Sequence, residues 1–259
     1  MGSDDESTTL LDDDVSDPIA LGLDLASTTS PSVPPLPTVL VPVGSVEQHG
    51  PHLPLDTNTV IATAVATRAA EVLHADGRSI LVAPAISYGS SGEHQDFAGT
   101  SSIGQAVLQQ TMVELARSMR TWAAEVVFVN AHVGNLESLR SAVRQLLDEG
   151  HDVGWVACSL EEPGLHAGRV ETSLMLYLAP WNVRLKRAEA GNTHASPNLL
   201  AEIKARGVRA VSVNGVLGDP TGASANEGKA ALDTMVSDVL RAVQTVAGHK
   251  RSEAADVKG

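Results

Sequence analysis

TVLVPVGSVEQHGPHLPLDTNT, residues 38–59, joins a run of β-branched and apolar residues to a loop that is rich in polar side chains. Residues 38–43 are apolar at nearly every position, which is typical of a strand covered by helices on both faces. A second stretch of the same design, VVFVNAHVGN at 126–135, also ends in a polar turn. The two stretches together predict a parallel sheet in an α/β fold.

The rest of the chain alternates short apolar runs with longer amphipathic stretches, which indicates alternating strands and helices. We place strands near Val39–Val43, Ile80–Pro84, Val126–Asn130, Val153–Cys158 and Ala210–Val213. We place helices near Asn58–His74, Ile103–Ala123, Asn135–Glu149, Gly168–Leu178 and Asn226–Val246. The predicted fold class is α/β, a three-layer α/β/α sandwich with a mainly parallel central sheet. Residues 181–206 carry few signals, so we expect a loop region there with at most one short helix.

Composition divides the chain into one domain and two tails. Residues 1–37 hold eight acidic and no basic side chains over their first 30 positions and end in PSVPPLP, a composition that buries little apolar surface. We expect a disordered acidic N-terminal tail over 1–37, one folded domain over 38–247 and a flexible C-terminal tail over 248–259.

Charge and cysteine content exclude several classes of protein. A formal charge of −13 would repel nucleic acid and anionic membranes, so we expect neither as a partner. The single cysteine, Cys158, excludes an internal disulfide and lies in an apolar run, which favours a buried thiol over a nucleophile. Because no apolar stretch is long enough to span a bilayer and the N-terminus lacks a positive n-region, we expect a cytoplasmic protein.

Polar side chains concentrate in the loops that follow the predicted strands. Five of the nine histidines fall in four such loops: His49, His52, His94, His132 and His166. The carboxyl ends of parallel strands share one edge of a sheet, where ligands bind. These loops therefore predict one functional site.

Each group also has a simpler explanation. Glu47 and His49, two apart, could bind ions from one side of an extended segment or could be a solvated pair. Glu171 could be a ligand or only a favourable charge in the first turn of a helix. Glu93 and His94 could contact substrate or merely make their loop polar. A shared site is favoured because the simpler explanations would have to hold for all of these groups at once.

Five ordered motifs carry a resemblance to the creatininase family. They are VPVGSVEQHGPHLPLDTNT, YGSSGEHQDFAGTSS, VVFVNAHVGN, HAGRVETSLML and GVLGDPTGAS, within residues 38–230. The resemblance implies a creatininase-like fold, metal-dependent amide hydrolysis and a homo-oligomer, a hexamer in this family. SGEHQDF combined with HAGRVETSLMLYLAP resembles the members that release a cyclised Val-Tyr-derived unit from the C-terminal end of a modified precursor peptide.

The resemblance also implies a site with two divalent ions, Zn²⁺, Fe²⁺ or Mn²⁺. Glu47, His49 and His132 match the family's ligand positions, and His166 matches a histidine that transfers protons. Gly134 replaces a glutamate of creatininase, so we assign Glu171 by its chemistry as the remaining carboxylate ligand.

One family position departs from the pattern. Asn58 stands eleven residues after Glu47, where the family has an aspartate that bridges both ions. Because an amide oxygen is neutral and an amide nitrogen does not ligate, we expect weaker metal binding there. Asp56 lies two residues earlier and would compensate only if it faced the same way.

Two other functions stay open at this point. The chain could be an amidohydrolase acting on a small cyclic amide or formamide, although aromatic residues that could enclose a small ring make up only 3% of it. It could also be a metal-poor protein that binds a peptide end without cleaving it, since Asn58 weakens the site. The chain lacks the GxxxxGK[ST] phosphate loop, which disfavours nucleotide use.

Overall fold

A parallel sheet forms the centre of the protein, a computed structural model that describes residues 22–159, 166–194 and 198–256, with side chains as far as 244. The strands are β1 (Thr38–Val43), β2 (Ile80–Val82), β3 (Glu125–Asn130) and β4 (Val153–Ala157). Their order is β2–β1–β3–β4, and every pair is parallel. The helices are α1 (Thr57–Ala75), α2 (Gln105–Met119), α3 (Leu136–Asp148), α4 (Arg169–Leu178), α5 (Leu199–Arg206) and α6 (Ala225–Asp256).

Alternating side chains of the strands build two separate cores. Leu40 and Val127 face one side and pack with α1, α4 and α6. Val41 and Phe128 face the other side and pack with α2 and α3. Since both faces are covered, the strands are apolar at consecutive positions. The predicted three-layer α/β fold is confirmed.

The two inner strands mark the point where the chain reverses its direction across the sheet. From β1 the chain passes through α1 to β2, and it then returns through α2 to β3 on the other side of β1. Loops that leave β1 and β3 therefore diverge, and a crevice opens at their carboxyl ends. The polar residues after Val43 and Asn130 lie there.

The predicted fifth strand over Ala210–Val213 is wrong. A 3₁₀ turn covers Val208–Ala210, and none of the strands in the described ranges includes these residues. Val208 is buried with Leu199, Ile203 and Leu217 in a small separate cluster, whereas Val213 is 84% exposed. The apolar residues of this run thus pack on α5 rather than in the sheet.

The region 181–206 contains the short helix α5, as the sequence allowed, and its residues 195–197 lie outside the described residues. One boundary differs from the sequence expectations. Helix α6 continues to Asp256, past the predicted end at Val246, so its backbone enters the predicted tail 248–259. No helix within the described ranges has an apolar stretch of the length that a bilayer requires.

The described part of the predicted N-terminal tail packs on the domain. Leu23 is buried, and its carbonyl oxygen accepts a hydrogen bond from the Val82 N–H at 2.8 Å. Asp24 caps a 3₁₀ turn at Leu25–Ser27. Apolar contact and strand pairing thus attach Leu23 and Asp24 to the domain, so this part of the expected tail is not free, while residues 1–21 lie outside the described residues.

Candidate metal and substrate site

The loop after β1 carries the most buried polar residues of the crevice. It folds back on itself through a hydrogen bond from the Glu47 N–H to the Leu55 carbonyl, 3.0 Å long. Helix α1 then begins at Thr57 and places Asn58 in its first turn. Glu47, His49 and Asn58 are all at most 1% exposed, so this loop forms the base of the crevice.

Four imidazoles surround one carboxylate oxygen, Glu47 Oε1. The distances are 3.1 Å to His132 Nδ1, 3.7 Å to His166 Nδ1, 3.8 Å to His94 Nε2 and 4.0 Å to His49 Nε2. Burial raises the pKa of Glu47, but the attraction of His132, His94 and His166 outweighs it and holds the pKa well below its usual range. Among the described residues, its other oxygen has no hydrogen-bond partner.

In three of these imidazoles, one ring nitrogen lies within hydrogen-bond distance of a backbone carbonyl oxygen. His49 Nδ1 lies 3.1 Å from the Glu47 carbonyl, His132 Nε2 lies 3.0 Å from that of Ser90, and His166 Nε2 lies 2.6 Å from that of Gln48. A carbonyl only accepts, so each of these nitrogens carries a hydrogen. In the neutral rings of His132 and His166 the second nitrogen then presents a lone pair to Glu47, whereas the second nitrogen of His49 lies 3.3 Å from Asn58 Oδ1.

Lone pairs that face a carboxylate at 3–4 Å need a positive charge between them. Histidine ligands of metals commonly donate their other N–H to a carbonyl, as these three do. At His132, burial lowers the pKa, but Glu47 outweighs this effect and raises the pKa to about 9. A proton can therefore occupy this position when a metal does not.

Asn58 has a fixed orientation among these groups. Its Nδ2 donates to Glu47 Oε1 and to Ser45 Oγ, both at 2.9 Å, and its Oδ1 lies 3.3 Å from His49 Nε2. A carboxylate only accepts, so the amide nitrogen must be on the Glu47 side. Asn58 therefore offers a ligand atom beside His49 and none beside His132.

Glu171 joins the site from the first turn of α4. Its Oε2 lies 4.0 Å from His49 Nε2 and accepts a 2.5 Å hydrogen bond from the Ala167 N–H. Ala167 is buried and adopts a left-handed backbone with φ of 52°, an unfavourable conformation for a residue with a Cβ. This turn brings His166 and Glu171 to the same side of the crevice. Burial raises the pKa of Glu171.

Glu93 reaches the site from a 3₁₀ turn at Gly92–His94. Its Oε1 lies 3.8 Å from His132 Nε2, and burial raises its pKa. A Cβ on Gly134 would overlap His132 Nε2 and the Ser90 carbonyl oxygen and would crowd Glu93. The space next to residue 134 is thus filled by Glu93, and only glycine fits at this position.

A cavity of about 260 Å³ lies beside Glu47 and His49 and is lined by the other groups. The predicted site residues that line it are Asn58, Glu93, His94, His132, His166 and Glu171. Cys158, which is half-buried, lines it too, and burial raises the pKa of its thiol to about 12. The thiol is thus protonated at neutral pH and is a poor nucleophile.

The structure brings all of the predicted site residues together. Glu47, His49 and His166 have ligand atoms within 4.8 Å of one another, a spacing that could hold a metal ion. His166, expected to carry protons, thus lies in a metal-compatible cluster. Asp56 is exposed at the start of α1 and does not compensate for Asn58. Sequence reasoning missed Gln48 and Ser45, although Gln48 stands between two predicted ligands.

The sequence matches one family model and several proteins of known name. Residues 27–243 match the family model for creatininase, described as creatinine amidohydrolase. The chain is 50% identical over 226 residues to the mycofactocin precursor peptide peptidase of Mycobacterium tuberculosis, covering 85% of this chain and 90% of that protein. It is 32% identical over 179 residues to the creatinine amidohydrolase of Pseudomonas putida, covering 58% and 67% respectively.

A solved structure has the same overall fold. A mutant creatininase complexed with creatine superposes with a TM-score of 0.70 and 25% sequence identity. The superposition covers 85% of this chain and 96% of that one.

Proposed function

The chain belongs to the creatininase family, whose members are hydrolases of C–N bonds, and on that premise we propose that it is the metal-dependent peptidase that cleaves the mycofactocin precursor peptide. Glu47 carries the proposal, because four imidazoles surround one oxygen of its buried carboxylate and the other oxygen has no hydrogen-bond partner among the described residues. The choice of a peptide over a small cyclic amide follows the higher identity to a peptidase than to a creatinine amidohydrolase.

The donor set suits two divalent ions. One would lie between Glu47 and His132, and the other beside His49, Asn58 Oδ1 and Glu171. Imidazole with carboxylate is compatible with Zn²⁺, Fe²⁺ and Mn²⁺. When bound, such ions polarise an amide carbonyl and lower the pKa of water. The unpaired Oε2 of Glu47 is an additional acceptor that a cation would satisfy.

The chain's own residues supply binding and proton transfer. His166 keeps its ring orientation through the Gln48 carbonyl and turns the lone pair of Nδ1 towards Glu47, so this nitrogen can take a proton from the attacking water and pass it to the departing nitrogen. Glu93 and His94 line the cavity and contact the substrate. The apolar residues around them, such as Leu174 and Leu217, keep bulk water away from the reacting bond.

The test starts from metal content. The purified chain is analysed for bound metal and incubated with a precursor peptide ending in Val-Tyr and, separately, with creatinine. We expect one to two ions per chain and release of the C-terminal unit, detected by mass spectrometry. Turnover of creatinine alone would contradict the peptide assignment.

A second candidate, a non-catalytic peptide-binding protein, is favoured by one observation, the Nδ2 of Asn58 directed at Glu47. Its signature would be less than one metal per chain and no turnover, both restored by Asn58→Asp. Family membership further supports a homo-oligomer, hexameric by resemblance, which mass photometry would test.

A further inference from the structure

The side chain of Gln48 is held in one orientation by two backbone groups. The Gly50 N–H donates to its Oε1 at 2.9 Å, and its Nε2 donates to the Gly215 carbonyl at 3.0 Å. An N–H cannot accept and a carbonyl cannot donate, so the amide cannot be flipped. A Cβ on Gly215, whose φ is 82°, would collide with this amide, and glycine leaves the space for it. Gln48 itself is only 5% exposed.

This orientation dictates where the hydrogen of His94 lies. Gln48 Nε2 is 2.9 Å from His94 Nδ1, and since the amide nitrogen donates, Nδ1 must accept. The hydrogen of His94 is therefore on Nε2, the nitrogen that lies 3.8 Å from Glu47 Oε1. That distance is too long for a hydrogen bond.

His94 is thus the opposite of two of its neighbours. In their neutral rings, His132 and His166 give their hydrogens to backbone carbonyls and turn lone pairs towards Glu47, whereas His94 turns an N–H towards the same centre. A metal needs a lone pair, so His94 is not built as a ligand. An N–H at the cavity wall binds an acceptor, and the acceptor of an amide substrate is its carbonyl oxygen.

We propose that Gln48 is a positioning residue that fixes His94 in the Nε2–H tautomer, so that His94 donates a hydrogen bond to the carbonyl oxygen of the scissile amide. The second half of this inference rests on the proposed function. The negative charge that develops on that oxygen strengthens the hydrogen bond in the transition state. Gln48 serves two imidazoles at once, since its backbone carbonyl orients His166 and its side chain orients His94.

The tautomer is measured directly by ¹⁵N NMR of the zinc-loaded full chain labelled at histidine, with the His94 signals assigned by their loss in His94→Gln. We expect hydrogen on Nε2 in the parent chain and a mixture of tautomers in Gln48→Met, which has similar length and no donor. His166 should be unchanged in Gln48→Met, because its partner is a backbone carbonyl. Hydrogen on His94 Nδ1 in the parent chain, or no response to Gln48→Met, overturns the proposal.

The donor role is measured by comparing His94→Gln, which keeps an N–H at similar reach, with His94→Met, which does not. We expect His94→Met to lower kcat on the precursor peptide roughly 10²-fold, as loss of one such donor does elsewhere, and His94→Gln to retain most of kcat. Metal content should match the parent in both variants. Equal loss in both at full metal content overturns the donor role. A parent chain that fails to cleave the peptide refutes the proposed function instead, and the NMR result still decides the role of Gln48.

Discussion

The site contains two kinds of carboxylate, which differ in burial and in environment. Glu47, the floor carboxylate, is 0% exposed and has a pKa held far below its usual range by the imidazoles around it. Glu93 and Glu171, the rim carboxylates, have side chains 22% exposed and pKa values raised by burial. The imidazoles around the floor carboxylate thus keep it charged. The rim carboxylates have too little positive charge near them to offset the effect of burial on their pKa values.

The difference follows from where each residue is attached. Glu47 lies in the loop that follows β1, an inner strand whose backbone is fixed by pairing with β2 and β3. The rim carboxylates come from a 3₁₀ turn and from the first turn of a ten-residue helix. Fixed geometry at the floor suits metal binding, and the less buried rim suits groups that meet a substrate or complete an ion's coordination.

The largest effect should come from the floor. Glu47→Gln removes the charge that four imidazoles face, so we expect loss of bound metal and a fall in kcat of about 10³-fold or more, since a catalytic ion contributes several kcal/mol. Metal analysis and peptide cleavage measure both. The matched control is Glu137→Gln, an exposed change of the same chemistry, which should leave both values intact. If Glu47→Gln bound as much metal as the parent chain, Glu47 would not be needed for metal binding and the floor would not differ from the rim in this respect.

Substitutions of the two rim carboxylates should have different effects. Glu171→Gln weakens the ion beside His49, so we expect one ion to be lost first and its affinity to fall roughly 10–100-fold. Glu93→Gln should keep both ions and change KM more than kcat, because this residue meets the substrate. Metal titration and steady-state kinetics on the pair give the answer, and identical behaviour of the two variants would contradict these assignments.

Asn58→Asp tests the charge balance of the floor in the opposite sense. In the metal-free chain, a second carboxylate next to Glu47 Oε1 repels the Glu47 carboxylate, so Tm falls. The same carboxylate attracts cations, so we expect the metal affinity to rise roughly tenfold. The two effects have opposite signs, so the gain in Tm on adding Zn²⁺ should be larger than in the parent chain. Thermal melts with and without metal measure it. A smaller gain would mean that Asn58 already acts as a full ligand.

The smallest effect is expected at the turn that supports the rim. Ala167→Gly relieves a left-handed backbone that costs about 1–2 kcal/mol and adds unfolded-state entropy of about 0.4–1 kcal/mol. The net change in unfolding free energy should be about 0–1.6 kcal/mol in favour of the variant, read from urea denaturation. Activity should change little if the Ala167 N–H still binds Glu171.

The sequence was a better guide to the floor than to the rim. The four strands could be predicted because their apolar runs are continuous, and Glu47, His49 and His132 follow two of them directly. The wrong strand at 210–213 has the same β-branched character, but its side chains serve a small cluster on α5. Pattern alone does not distinguish a sheet core from a satellite core.

Contacts between distant segments could not be predicted from one sequence. Gln48 and Gly215 are 167 positions apart, and only their proximity reveals why the residue between two predicted ligands is a glutamine and why its partner is a glycine. Likewise, Glu93 fills the space next to Gly134 from another loop. Ala167 could not be foreseen either, because alanine rarely adopts a positive φ.

The segment that packs beside β2 has a consequence for the handling of the protein. β2 is a three-residue outer strand, and the backbone of Leu23 and Asp24 pairs with Val82 along its free side. An uncovered outer strand offers its peptide groups to other molecules and promotes aggregation. A chain shortened to begin at Thr38 would keep every side chain of the crevice and still be expected to precipitate.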